Sequence, residues 1–150
     1  MTDVGQQLVA LLVDEHAAVY SYGLVGAHLG TRERRVARAA FEAHRAARDG
    51  LRVLVEKRHG SPPPPAATYD VAVRTAAEAR ALAVRVEEQL GVRWRDLVAT
   101  TDEAALRQLA VQRLQECAVR AALWRRAQGV APIVPFPGWV PPSEPGSTPG

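Results

Sequence analysis

The stretch that decides the fold is SPPPPAAT, residues 61–68, which stands between two long segments of helical periodicity. Four consecutive prolines lack backbone N–H donors and favour an extended polyproline conformation, so no helix can pass through them. At about 3.1 Å per residue, residues 59–69 would span about 34 Å when extended. That is nearly the length of a helix of about 25 residues at about 1.5 Å per residue. Such a connection can return along a bundle and leave the second and third helices parallel.

Helical periodicity continues on both sides of the prolines, and turn-forming residues separate the segments. Gly30 ends the first segment, Thr31 is a plausible N-cap of the second, and Thr100 and Glu103 have capping-box spacing before the last. No segment alternates as a strand does, so the sequence predicts an all-α, ferritin-like four-helix bundle with a long crossover between helices two and three. We predict helices over about residues 3–29, from after Thr31 to about 58, over 70–90 (with an extension to 98), and from the capping box that Thr100 opens to about 128.

The composition changes after the fourth predicted helix, where proline and glycine become frequent. We therefore predict a bundle domain at residues 1–129 and an irregular Pro-rich tail at 130–150. Phe136 and Trp139 give the first part of this tail an apolar surface that would dock on the end of the bundle, whereas its last residues would be disordered.

The composition also limits the class of protein. In 150 residues with a net charge of +3, arginines are spread through every predicted helix and interleaved with acids, which argues against a nucleic-acid surface. The chain has one cysteine, Cys117, no run of about 18–20 apolar residues, and no signal-like N-terminus. We expect a cytoplasmic protein with no membrane partner, and its alanine- and arginine-rich composition resembles that of actinobacterial proteins.

The stretch DEHAAVYSYG, residues 14–23, places an acid on the apolar face of the first helix. At 100° per residue Glu15 falls in the middle of the apolar stripe, while His16 lies on its flank. On the second helix His44 and Arg48 lie within the stripe, one step to either side of the Glu15 level. A buried carboxylate must be paired or neutral, so we predict a buried polar cluster of Glu15, His44 and Arg48 with Tyr22 nearby, which either fixes helix register or receives a small polar ligand.

A metal centre is the alternative interpretation of these residues. Active di-iron bundles use a Glu on each of two helices and Glu-x-x-His on the other two. Here the segments Glu42-Ala-His-Arg45 and Glu116-Cys-Ala-Val119 lack a histidine three residues after the Glu, and Arg48 brings a permanent cation. We therefore predict no catalytic residue and no cofactor. The alternative is iron or manganese held by Glu15, His44, Glu87 and Glu116.

Four stretches of the chain also resemble one known family. They are EHAAVYSYGLVGAHL (15–29), HRAARDGL (44–51), RAALWR (120–125) and PFPGW (135–139). They are similar, in the same order, to the ferritin-like domain of unknown function found mostly in actinobacteria, and the resemblance covers about residues 5–141. It implies a ferritin-like four-helix fold and supplies no substrate.

Two functions follow as hypotheses. The preferred one is a non-catalytic binding or structural homodimer, with surplus apolar positions such as Val9, Val13, Val73 and Val84 forming an intersubunit face. The alternative is a metal-dependent ferritin-like oxidase or iron-handling protein.

Overall fold

The computed structural model describes residues 3–132, in which four helices and no strand are present. The all-helical, four-helix prediction is confirmed. The helices are α1 (Val4–Ala27), α2 (Thr31–His59), α3 (Ala76–Thr100) and α4 (Ala104–Ala127).

The start of α3 differs from the prediction, which placed it near residue 70. The chain stays irregular up to Thr75, whose hydroxyl accepts a hydrogen bond from the N–H of Glu78 at 3.1 Å. The Glu78 carboxylate accepts in return from the N–H of Arg74 at 2.7 Å. This reciprocal cap explains why the helix begins at Ala76 rather than earlier, because the first free N–H groups of a helix need such acceptors.

The capping box predicted at the start of α4 does not form. The hydroxyl of Thr100 donates instead to the side chain of Gln7 on α1 at 2.5 Å. The N–H of Glu103 is bound by the hydroxyl of Thr101 at 3.3 Å. Thr100 is the last residue of α3 and therefore cannot serve as the cap of the next helix.

Ion pairs between helix ends define the topology. Arg80, near the start of α3, donates to both carboxylate oxygens of Glu33, near the start of α2, at 2.7 and 2.8 Å. Arg58, near the end of α2, donates to both oxygens of Glu103, just before α4, at 2.6 Å each. Helices α2 and α3 therefore begin at the same end and run parallel, and residues 60–75 return along the bundle as the proline stretch predicts. The helices pack as α1 on α2, α3 on α4 and α1 on α3.

Among residues 3–132 the apolar core consists of two clusters, one toward each end of the bundle. One lies where α1 begins and includes Leu8, Leu11 and Trp94. The other lies where α1 ends and includes Val25, Leu82 and Trp124. The layer between these clusters is where the chain buries its charged side chains.

Helix α1 has the length and composition of a membrane span: an 18-residue window has a mean hydropathy of 1.3. Half of that window is buried inside the bundle, and a core helix of a bundle passes the same test. The absence of a membrane partner therefore stays a prediction.

The tail predicted at residues 130–150 falls almost entirely outside the described residues. Val130 is exposed. The predicted docking of Phe136 and Trp139, and the predicted disorder of the end, lie beyond residue 132.

Candidate functional site: a buried polar network

Each of the four helices contributes one charged side chain to the layer between the apolar clusters. They are Glu15 from α1, His44 from α2, Glu87 from α3 and Arg120 from α4. Glu15, His44 and Glu87 are each 1% exposed, and Arg120 is the one member with a partly accessible side chain. We call these four residues, together with Tyr22, the polar network.

His44 lies between the two carboxylates of the network. Its Nδ1 is 2.7 Å from Oε2 of Glu15, and its Nε2 is 3.1 Å from Oε1 of Glu87. An ionised carboxylate only accepts hydrogen bonds, so both ring nitrogens must donate and His44 is an imidazolium. Burial by itself would lower the pKa of His44, but its hydrogen bonds to Glu15 and Glu87 and their charges outweigh burial and raise that pKa to about 9.

Glu87 is the centre of the network because one of its oxygens, Oε1, accepts three hydrogen bonds. Besides His44, the hydroxyl of Tyr22 donates at 2.5 Å and Nε of Arg120 donates at 2.9 Å. Burial would raise the pKa of Glu87, but the hydrogen bond and charge of His44, followed by Arg120 and Tyr22, lower it overall. The other oxygen, Oε2, has no partner among the described residues.

Tyr22 links the network to the second apolar cluster. Its hydroxyl donates to Glu87 and accepts from Nε1 of Trp124 at 2.9 Å. Its ring stacks on that of His44 with centroids 5.2 Å apart. Burial and the adjacent Glu87 charge raise the pKa of Tyr22 well above its ordinary value, so the phenol stays protonated and keeps its donor role.

Cys117 lies at the edge of the network, 3.7 Å from Nη2 of Arg120. Burial, followed by the charge of Glu87, raises the pKa of this thiol. A nucleophilic cysteine needs a lowered pKa and access to solvent. Cys117 has neither, since its pKa is raised and it is only 1% exposed, so it is not a candidate nucleophile.

The charges of the network cancel. Glu15 and Glu87 each bring one negative charge, and His44 and Arg120 each bring one positive charge. A buried charge without a partner is costly. In the polar network each charged side chain has an oppositely charged partner on another helix, which offsets the unfavourable free energy of burying it.

The prediction that Arg48 neutralises Glu15 is wrong. Arg48 pairs with Asp49, its neighbour in the chain, at 2.8 Å, and its side chain is 22% exposed. It lies one turn beyond His44 and faces the proline crossover rather than the bundle axis. The partner of Glu15 is His44, and the arginine of the network is Arg120.

Two further side chains named in the sequence analysis lie outside the network. Glu116, a candidate metal ligand, is bound by Arg113 at 2.9 Å on a partly exposed face of α4. His16, placed on the flank of α1, is only 7% exposed because the crossover covers it. Sequence reasoning missed Arg120; the one available signal was its position three residues after Cys117, which lies on the apolar stripe.

The network does not fit a di-metal centre. Glu15 and Glu87 correspond to the single carboxylates of such centres, but the buried pairs at Glu-x-x-His spacing read His44-x-x-Ala47 and Cys117-x-x-Arg120. In addition, Arg120 holds a permanent cation next to Glu87. Among residues 3–132, no group of three or more His, Cys, Asp or Glu side chains is arranged to hold a metal ion.

Comparisons with known proteins match the chain to one family. The family model described as Domain of unknown function (DUF4439) matches residues 8–141. The fold is similar to the crystal structure of a conserved hypothetical protein from Mycobacterium tuberculosis, at 34% identity and a TM-score of 0.78. The match covers 83% of this chain and 96% of that chain. No curated protein matches the chain. These similarities indicate a family and a fold, and no activity.

Proposed function

We propose that this chain, which belongs to the DUF4439 family of domains of unknown function, is a non-catalytic ferritin-like bundle protein. The polar network takes the place of a di-iron centre and stabilises one register of the four helices. The protein acts as a binding or structural homodimer in the cytoplasm, with no resident cofactor. The observation that carries this proposal is that both ring nitrogens of His44 are bonded to carboxylates.

The ferritin-like assignment is supported by the direction of the helices. Helices α2 and α3 run parallel, and bundles of the ferritin type have one long crossover connection. The resemblance of the sequence points the same way.

The non-catalytic assignment is supported by the pairing of the network. A general base needs a free lone pair within reach of a substrate, and a nucleophile needs activation. Here Glu15 is bonded to His44, Tyr22 is held as a donor, and the thiol of Cys117 is kept protonated. Within the described residues Oε2 of Glu87 has a free lone pair, but Glu87 is only 1% exposed, so this oxygen is buried away from solvent. A buried charge-paired layer serves instead to specify which helix faces meet, as buried polar groups do in some coiled coils.

Metal analysis of protein purified without a chelator tests this proposal. We expect iron and manganese far below one per chain, and no change in melting temperature when either ion is added. The matched variants are Glu15→Gln, in the network, and Glu42→Gln, whose side chain is 53% exposed and pairs with Arg45. Stoichiometric iron or manganese that is lost in Glu15→Gln and retained in Glu42→Gln would support the alternative, a metal-dependent oxidase or iron-handling protein.

The homodimer proposal is supported by exposed apolar side chains on α4. Val119 is 61% exposed and Leu123 is 49% exposed, and four residues apart they share one face. Of the apolar positions expected at an intersubunit face, Val13 is exposed at 45%, whereas Val84 belongs to the core at 8%. Sedimentation analysis should show a dimer that Leu123→Glu converts to a monomer; a monomeric parent protein would contradict the proposal.

A further inference from the structure

A second polar feature lies away from the network, on the outer side of the α1–α2 pair. The crossover does not seal against these helices, and between them lies a cleft of about 580 Å³. Its walls include His16, Tyr20, Arg48, Arg52 and Tyr69, with residues 62–66 of the crossover. Volumes of about 300–1,000 Å³ are typical of sites for small molecules.

His16 lines this cleft and carries a buried ring nitrogen without a hydrogen-bond partner among the described residues. The backbone of Pro63 lies next to the ring and raises its pKa as a hydrogen-bond acceptor would, and Nε2 has no partner among the described residues. Burial, together with the charges of Arg48 and Arg52, lowers the pKa of His16 below its ordinary value although Pro63 and Asp49 oppose the shift. The ring is therefore neutral at pH 7, with the proton on Nδ1 and a lone pair on Nε2. A buried acceptor without a donor is unfavourable, and a ligand hydroxyl would satisfy it.

Two arginines supply positive charge on the same side. Arg52 is exposed and makes no ion pair with any residue between 3 and 132. Within the described part of the chain, Arg48 pairs only with Asp49, whose side chain is 56% exposed. Guanidinium groups bind planar carboxylates through paired hydrogen bonds, so both arginines are available to an anion.

Aromatic rings and prolines supply the apolar surface. The rings of Tyr20 and Tyr69 contact each other with centroids 5.0 Å apart and an angle of 40° between their planes. The Tyr69 hydroxyl accepts a hydrogen bond from the N–H of Ala66 at 3.1 Å, which ties the crossover to this ring. The surface is therefore preformed and suits a flat apolar group.

We propose that this cleft binds a small aromatic carboxylic acid that also carries a hydroxyl group. The carboxylate is held by Arg52 and Arg48, the hydroxyl donates to Nε2 of His16, and the ring lies against Tyr20 and Tyr69. This site is independent of the polar network and of whether that network binds metal.

Calorimetric titration of the full chain at pH 7.5 tests the proposal with three probes: 4-hydroxybenzoate, benzoate and 4-hydroxybenzyl alcohol. We expect 4-hydroxybenzoate to bind more tightly than either compound that lacks one of its two polar groups. Arg52→Ala should weaken its binding by about tenfold, since a charge-assisted hydrogen bond contributes about that factor. His16→Phe should remove the preference for 4-hydroxybenzoate over benzoate.

Arg45→Ala is the matched control, because Arg45 is an exposed arginine of the same helix that does not line the cleft. The proposal is overturned if none of the probes binds at millimolar concentration, if Arg45→Ala weakens binding as much as Arg52→Ala, or if the alcohol binds as tightly as the acid. Should His16→Phe fail to fold, the surface variants Arg52→Ala and Arg45→Ala still decide the matter.

Discussion

The protonated state of His44 makes the stability of the bundle depend on pH in a range where few other groups titrate. In the unfolded chain His44 has its ordinary pKa of 6.5, and in the folded protein the pKa is raised to about 9. Because the folded-state pKa is the higher one, the stability from this group is fully present below about 6.5 and is lost as the pH rises through about 9.

The magnitude follows from the size of the shift. A difference of about two and a half pKa units corresponds to about 3 kcal/mol of unfolding free energy at about 1.4 kcal/mol per unit. His44 is fully buried between two carboxylates, so solvent does not screen this coupling strongly. Such a loss is a large fraction of the 5–15 kcal/mol that is typical of whole domains.

Urea unfolding at several pH values between 6 and 9.5 measures this effect. Tyr22 and Cys117 also have raised pKa values. Their contributions to the free energy of unfolding begin to be lost at a higher pH than that of His44, as the thiols and phenols of the unfolded chain ionise. The measurement is therefore best made in a Cys117→Ala background. His44→Gln is the companion variant: it should be much less stable at pH 7, with a flatter profile up to pH 9.

A direct check is an NMR titration of the imidazole signals. The His44 ring should remain protonated at pH 8, because its pKa is raised to about 9. A His44 that titrates near or below 6.5, or a free energy of unfolding that is constant between pH 6.5 and 9 in the parent protein, would refute the claim that His44 is an imidazolium held by two carboxylates.

Three further predictions concern the other members of the network. Arg120→Ala should destabilise the protein by roughly 3 kcal/mol because it leaves the buried Glu87 charge without its arginine. Arg48→Ala, which removes a partly exposed ion pair, should change the free energy of unfolding by less than about 1 kcal/mol. Urea unfolding at pH 7 compares the two variants, and equal losses of stability would contradict the positions of these arginines in the structure. Tyr22→Phe should lose roughly 2 kcal/mol, since it removes the partner of both Glu87 and Trp124, and an unchanged melting temperature would show that these bonds are absent. In acid, Glu87 should contribute the opposite pH dependence. Its folded-state pKa is lowered, so its stabilising effect is present above the ordinary pKa of 4.5 and is lost as the pH falls below that value. In an acid titration followed by circular dichroism, and after correction for their difference in stability at pH 7, the parent protein should therefore lose more stability than Glu87→Gln.

The sequence was sufficient to predict the helices and the direction of the crossover because those features depend on local chemistry. Four consecutive prolines exclude a helix wherever they occur, and the predicted ends of α1 and α2 lie within two residues of the observed ones. The start of α3 was less predictable. Its caps, Thr75 and Glu78, have the same spacing as Thr100 and Glu103, and spacing alone does not say which pair meets a free helix end.

The sequence predicted those parts of the buried site that follow from the apolar pattern of a single helix, and missed those that depend on how the helices pack together. Glu15 and His44 lie at the centres of their own apolar stripes, so their burial and their pairing across the α1–α2 hairpin could be inferred. Arg48 is four residues after His44 and shares its face on a helical wheel, but α2 turns it toward the crossover. Arg120 belongs to a helix whose rotation is set by packing on α3, and its spacing of three residues from Cys117 does not by itself identify it as the cation of the network.

The proposed role of the network in fixing helix register would account for how a bundle rich in small residues holds one arrangement. On an alanine-rich helix face, successive turns present side chains of similar size and shape. Apolar packing alone therefore gives only a small difference in free energy between the observed register and one shifted by a turn. Moving α3 by one turn, about 5.4 Å along its axis, would take Glu87 away from His44, Tyr22 and Arg120 together. Three hydrogen bonds to one buried carboxylate would be lost at once. The partly accessible Arg120 would lose its partner Glu87, and the buried His44 would keep only Glu15. The four charges come from four different helices and sum to zero, so all of them are paired in the observed register. In the same register the two apolar clusters pack on either side of the charged layer.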